Sequence, residues 1–154
     1  MASKLNPGAK PFSAAAAACK RTKVHMYLAP TNSGKTTRAI DMLAKAKTGA
    51  YAAPLRMLAI EAYERLRATL GDDSVGLVTG EQRINPRARI VCCTVECTPH
   101  TGDVLVVDEA HWMIDAERGH VWTRVLREQS YKEMHVIAAP EAEGLLVKMF
   151  EVRG

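Results

Sequence analysis

Two short stretches carry the residue types that phosphate chemistry needs. The first is Ala29-Pro30-Thr31-Asn32-Ser33-Gly34-Lys35-Thr36, set between the apolar run Val24-His25-Met26-Tyr27-Leu28 and a helical pattern. A bound triphosphate needs inward-turned backbone N–H groups, the positive end of a helix and a cation at its terminal phosphate. The turn ending in Gly34 would expose the amides, and Lys35 would reach the outer phosphates. Thr36 would offer a hydroxyl to a magnesium ion. The strict pattern begins with Gly, where this chain has Ala29; the strand before and the helix after carry the assignment. The second stretch is Val104-Leu105-Val106-Val107-Asp108-Glu109-Ala110-His111. Asp108 follows four apolar residues, at the end of a strand, where a magnesium-organising carboxylate belongs. Glu109 can polarise an attacking water, because phosphoryl transfer depends on positioned groups and charge neutralisation. An acidic helix start would explain one carboxylate of this pair but not the whole Asp-Glu-Ala-His run.

The elements that must position these residues alternate along the chain. Strands are expected at Val24–Leu28, Gly49–Ala53, Val75–Val78, Ala88–Cys93, Val104–Val107 and Met134–Ala138. Helices are expected from the phosphate loop to about Ala46, from Leu55 to Leu70, from Asp115 onward and from Glu141 to Phe150. Strands alternating with helices imply an α/β fold, a mostly parallel sheet between two helical layers. The unbroken apolar run before Asp108 suits a strand covered on both faces.

Composition sets the outer limits. The chain has 154 residues, 47% of them hydrophobic and 25% charged, enough for one ordinary globular domain. No apolar run approaches the roughly 20 residues of a membrane span. The net charge of +4 is compatible with a polyanion partner. Residues 1–23 differ, with five Lys or Arg, an alanine run from Ala14 to Ala18 and no acid. They read as a basic tail before a single domain at 24–154, either a bacterial-type N-terminus or a mitochondrial presequence. A cytoplasmic location, bacterial or phage-like, is the expectation, with the mitochondrial matrix as the alternative. Cys19, Cys92, Cys93 and Cys97 lack zinc-ligand spacing. His25, His100 and His120 show no partner pattern for metal or acid–base work, and Trp112 and Trp122 read as packing residues.

Asp108-Glu109-Ala110-His111 resembles motif II of superfamily 2 helicases, in which Ala at the first position of the phosphate loop is normal. More narrowly, the chain resembles the ATP-dependent RNA helicases of the suppressor-of-Var family and their bacterial relatives. The segments in family order include Pro54-Leu55-Arg56-Met57-Leu58-Ala59, Leu77-Val78-Thr79-Gly80-Glu81, Thr94-Val95-Glu96, Asp115-Ala116-Glu117-Arg118-Gly119 and His135-Val136 before Pro140. The chain departs from the family with Ala-His after Asp-Glu, where Ile-Gln is usual. It departs again at Ala138-Ala139-Pro140, where Gly-Asp/Glu-Pro is the tendency. The resemblance implies a RecA-like P-loop NTPase domain using ATP and Mg²⁺. Pro30, Thr31, Asn32, Ser33, Gly34, Lys35, Thr36 and Thr37 would hold the nucleotide. Thr36 and Asp108 would serve the metal, Lys35, Asp108 and Glu109 catalysis, and His111 coupling to a second domain. Pro54, Leu55, Arg56, Thr79, Gly80 and Thr94 would hold the backbone of single-stranded RNA or DNA. Each of these has a bland alternative as a strand end, a turn or a solvated charge. With only 5% aromatics, base stacking is not expected to dominate.

Such helicases clamp their ligands between two RecA-like domains, the second supplying arginines worth about a thousandfold to a hundred-thousandfold in turnover. No glutamine–arginine-rich closing motif follows here, so a poor ATPase that needs a second domain, in cis or in trans, is expected. Two rival readings stay open. One is a thymidine kinase-like phosphotransferase, although its cysteine-bearing segment should follow Asp108. The other is a non-catalytic nucleotide- or RNA-binding module.

Overall fold

A computed structural model of the chain describes residues 23–28, 35–111, 130–144 and 146–147. Its strands are β1 (Lys23–Leu28), β2 (Gly49–Ala53), β3 (Val75–Val78), β4 (Arg83–Ile84), β5 (Ile90–Thr94), β6 (Thr101–Val107) and β7 (Ser130–Ala138). Two helices, α1 (Lys35–Ala44) and α2 (Arg56–Leu70), lie between β1, β2 and β3. The strands form one sheet in the order β1-β7-β6-β2-β5-β3-β4. Every pairing is parallel except β3 with β4.

A parallel sheet needs cover on both faces, and period-2 alternation divides its side chains between two cores. On one face Tyr51, Ala53, Leu77, Ile90, Cys92, Val106 and Ile137 pack with Ala39, Ile40 and Leu43 of α1 and Ala59, Ala62, Tyr63 and Leu66 of α2. The α2 residues recur at i, i+3, i+4 and i+7, one stripe of a 3.6-residue helix. On the other face Ala50, Ala52, Val91, Cys93, Leu105, Val107, Met134, Val136 and Ala138 pack with Val95, Ala142 and Leu146. Gly71 ends α2 at φ 92°, its N–H bonded 2.9 Å from the Arg67 carbonyl, a backbone that suits glycine.

The expected strands at Gly49–Ala53 and Val75–Val78 match the structure residue for residue. The structure starts α2 one residue later than expected and ends α1 at Ala44. It moves the strand expected at Ala88–Cys93 to Ile90–Thr94, because Ala88 closes a turn onto the Asn85 carbonyl. β6 and β7 begin earlier than expected, at Thr101 and Ser130. Their first residues pair only with each other, beyond the end of β2, so less apolar cover marks them. β4 was not anticipated; two exposed residues on an edge leave no periodic signal. After β7 a 3-10 turn, Pro140–Ala142, precedes helical residues at 143–144 and 146–147. The expected tail, the nucleotide-loop residues Pro30 to Gly34, the Lys35 side chain, the helix from Asp115, and Arg118, His120, Trp112 and Trp122 lie outside the described residues.

β4 folds back so closely that a Cβ on Gly76 would stand 2.1 Å from the Asn85 carbonyl oxygen and 2.9 Å from that of Ile84. Both obstacles are backbone. Gly76→Ala should therefore cost about 1–3 kcal/mol, read as a lower urea midpoint with unchanged m-value.

Candidate nucleotide and nucleic-acid site

Because the strands run parallel, their C-terminal ends share one edge of the sheet. There the chain leaves β1 into Ala29, β2 into Pro54, β3 into Thr79, β6 into Asp108 and β7 into Ala139. Open α/β sheets bind ligands at this edge.

Asp108 extends β6 by one rung, its N–H bonded 2.9 Å from the Ala52 carbonyl. Only 3% of its surface is exposed. Its carboxylate receives Tyr51 Oη at 2.5 Å, the Glu109 N–H at 2.9 Å and Thr36 Oγ1 at 3.3 Å from each oxygen. Burial raises the Asp108 pKa above the ordinary range, and the Tyr51, Glu109 and Thr36 donors pull it back in part. Burial and the Asp108 charge push the Tyr51 hydroxyl far upward, so it remains a proton donor. A buried carboxylate beside a threonine hydroxyl is a hard oxygen donor set at the start of a helix. It fits a magnesium ion, whose charge would offset the cost of ionising Asp108.

Glu109 has φ 56°, a strained backbone for a residue with a side chain. Its carboxylate lies 2.9 Å from His111 Nε2. Burial first, and the Asp108 charge second, raise the Glu109 pKa, while His111 opposes them. His111 Nδ1 accepts the Ala139 N–H at 3.1 Å, which leaves Nε2 as the ring donor toward Glu109. One imidazole thus ties the acidic motif to the end of β7.

Thr36, Asp108, Glu109 and His111 are therefore brought together. The Thr37 hydroxyl instead accepts Arg65 Nη1 at 3.1 Å, on the contact between α1 and α2. Tyr51 escaped the sequence analysis. It is the one large side chain in Gly49–Ala53, but only the pairing of β2 with β6, with Tyr51 opposite Val106, aims it at Asp108.

The candidate nucleic-acid residues lie at the C-terminal ends of β2, β5 and β3, three adjacent strands. Arg56 forms an ion pair with Glu81, joining the start of α2 to the loop after β3. The Thr79 hydroxyl accepts the N–H groups of Gln82 at 3.0 Å and Glu81 at 3.2 Å, so it shapes its own turn. Gly80 faces open space, and Leu55 is 45% exposed. Thr94 Oγ1 is the one buried side-chain polar atom without a hydrogen bond among the described residues. Cys92 and Cys93 are buried core thiols, and burial pushes the Cys93 pKa up to about 12. Neither has the character of a nucleophile.

The family model for the DEXQ-box helicase domain of Suv3 matches residues 9–154. The chain belongs to this family. It is 39% identical over 136 residues to the DExH-box ATP-dependent RNA helicase DExH18, mitochondrial, of Arabidopsis thaliana, covering 87% of this chain and 17% of that protein. It is 40% identical over 143 residues to the ATP-dependent RNA helicase SUV3 homolog, mitochondrial, of Drosophila melanogaster, covering 86% of this chain and 18% of that protein. The chain thus spans less than a fifth of the length of these curated relatives. The Pyrococcus furiosus Hef helicase domain superposes with a TM-score of 0.62 at 21% identity, over 90% of this chain and 35% of that one. That likeness bears out the RecA-like α/β fold. The thymidine kinase-like alternative finds no support, and neither does the bacterial or phage-like cytoplasmic location, since both relatives are named as mitochondrial.

Tyr51→Phe removes a donor that favours the ionised form of Asp108. It should cost about 1.5–3 kcal/mol at neutral pH and raise the Asp108 pKa further. The bond stabilises the carboxylate, so the deficit should be present above that pKa and shrink as pH falls through it. Thermal melts across pH and the ¹³C carboxyl shift of Asp108 check both effects.

Proposed function

We propose that this chain is the nucleotide-binding half of an ATP-dependent RNA helicase motor. The observation that carries the reading is the buried Asp108 carboxylate shared by Thr36 and Tyr51, with Glu109 and His111 beside it, in a Suv3-family domain. ATP is held by the loop from Pro30 to Lys35 and by the first turn of α1, with Lys35 on the outer phosphates. Thr36 and Asp108 hold magnesium, which when bound supplies charge neutralisation to the transferring phosphate. Glu109 accepts a proton from the attacking water; its raised pKa makes it a better base than an ordinary glutamate. His111 orients that carboxylate and relays its position to Ala139.

Single-stranded RNA lies over the ends of β2, β5 and β3 and is gripped through its phosphates. Arg56 is available for this role, because a surface ion pair such as Arg56–Glu81 is worth at most about 1 kcal/mol and exchanges readily for a phosphate. The unpartnered Thr94 hydroxyl and the open Gly80 stand on the same stretch of edge. A second RecA-like domain, in cis or as a partner chain, closes the cleft and provides arginines to the transferring phosphate. The relatives' names favour a mitochondrial location.

The deciding experiment measures ATP hydrolysis with and without single-stranded RNA, single-stranded DNA or thymidine, before and after adding the second domain. Stimulation by RNA and by the second domain is expected; background turnover under all conditions would leave only a binding module. Lys35→Ala should abolish magnesium–ATP binding in calorimetry while the circular dichroism spectrum is unchanged. Glu109→Gln should keep ATP binding and lose hydrolysis, and equal turnover to wild type would remove Glu109 as the base. Arg56→Ala should weaken RNA binding about equally for unrelated sequences and make its salt dependence shallower by about one unit or less, read by fluorescence anisotropy.

A further inference from the structure

A second polar cluster lies on the face of the sheet that α1 and α2 cover, at the β1–β7 edge, where His135 pairs with Val106, two residues before Asp108. Parallel pairing puts His25 of β1 directly opposite His135 of β7. Their rings stack 4.7 Å apart with planes 9° from parallel. Glu133, two residues earlier on β7 and hence on the same face, brings Oε1 to 3.2 Å from His135 Nε2 and 3.9 Å from His25 Nε2. The donor atoms of these three residues all lie within 4.8 Å of one another. The sequence alone offered His25 no such partner; the strand pairing supplies two.

We propose that His25, Glu133 and His135 form a binding site for a zinc-like divalent ion that staples β1 to β7. Zinc bonds of about 2.0–2.1 Å to nitrogen and oxygen place tetrahedral ligand atoms roughly 3.3 Å apart. The Glu133 contacts already bracket that spacing, so only the two imidazoles must converge. The convergence is easy on one side: His135 is wholly buried and fixed, whereas the side chains of His25 and Glu133 are 47% and 41% exposed. Two imidazoles and a carboxylate form a borderline nitrogen–oxygen set, which suits zinc and disfavours magnesium. Solvent supplies the fourth position.

The outer shell is built as well. Tyr27 Oη lies 2.8 Å from His135 Nδ1, and its ring stacks on the same imidazole. A tyrosine hydroxyl can donate or accept. Without metal it donates to Nδ1, and Nε2–H faces Glu133. With metal Nδ1–H donates to Tyr27 and the Nε2 lone pair turns to the ion, so His135 exchanges tautomers with no net loss of a proton. Fixing the distal nitrogen of a ligand histidine in this way is the usual support of a zinc site. The staple would act where β1 delivers the chain to the nucleotide loop and β7 delivers it to Ala139.

The test uses the full chain, without affinity tag or nucleotide, stripped with chelator and titrated with zinc chloride by calorimetry. One equivalent should saturate it, and His25→Ala and Glu133→Gln should each weaken binding by about tenfold or more. Cobalt(II) in place of zinc should give visible ligand-field bands without a thiolate charge-transfer band. Zinc should raise the thermal midpoint of the wild type, and not of His25→Ala. Both substituted side chains are near half exposed; should either variant fail to fold, His25→Gln and Glu133→Ala read the same effect. No stoichiometric binding, equal affinity in the folded variants, or a thiolate band would overturn the site and leave a hydrogen-bonded cluster only.

Discussion

A carboxylate held in a nearly dry position at the end of a central strand governs this domain. Asp108 costs free energy to ionise where it stands, as its raised pKa shows. Three groups from three parts of the chain make that tolerable: the Tyr51 hydroxyl from β2, the Thr36 hydroxyl from the first turn of α1, and the N–H of Glu109. To satisfy one buried charge, the helix after β1, the strand β2 and the end of β6 must meet within hydrogen-bonding distance. The same demand leaves an oxygen-lined, charge-poor position that a divalent cation would complete.

The order of strands divides the edge into two groups. β1, β7 and β6 are neighbours and lead to Ala29, Ala139 and Asp108; β2, β5 and β3 are neighbours and lead to Pro54, Thr94 and Thr79. β2 is the seam. Its Tyr51 bonds Asp108 on one side, and three residues later Pro54 begins the segment that reaches Arg56 on the other.

The two departures from the usual family pattern touch each other. His111 stands where Gln is usual, and Ala139 where an acidic residue is the tendency; His111 Nδ1 accepts the Ala139 N–H at 3.1 Å. The contact uses backbone at 139, so it demands no side chain there. An acidic residue at 139 would add a carboxylate near Glu109, whose pKa burial and Asp108 already raise. A histidine that bonds backbone on one side and Glu109 on the other makes the connection without that charge.

Sequence by itself determined the fold class, most strands of the sheet and the two acidic-motif carboxylates. These depend on local matters: an apolar run of strand length, a helical stripe, and the residue types that phosphate chemistry demands. The uniformly buried strands at Gly49–Ala53 and Val75–Val78 were legible to the residue because apolar cover on both faces leaves a continuous signal. The two-residue β4 and the first residues of β6 and β7 were not, because they are only partly covered and the hydrogen bonds that define them come from distant chain segments. The same reason hid Tyr51 and the His25–Glu133–His135 cluster. A tyrosine 57 positions from Asp108 becomes its donor only when β2 and β6 are side by side. His25 gains its partners 108 and 110 positions away through the register of β1 on β7. Residue types carry the chemistry, but which polar atoms share one buried space is decided by strand order and register, and those belong to the tertiary structure alone.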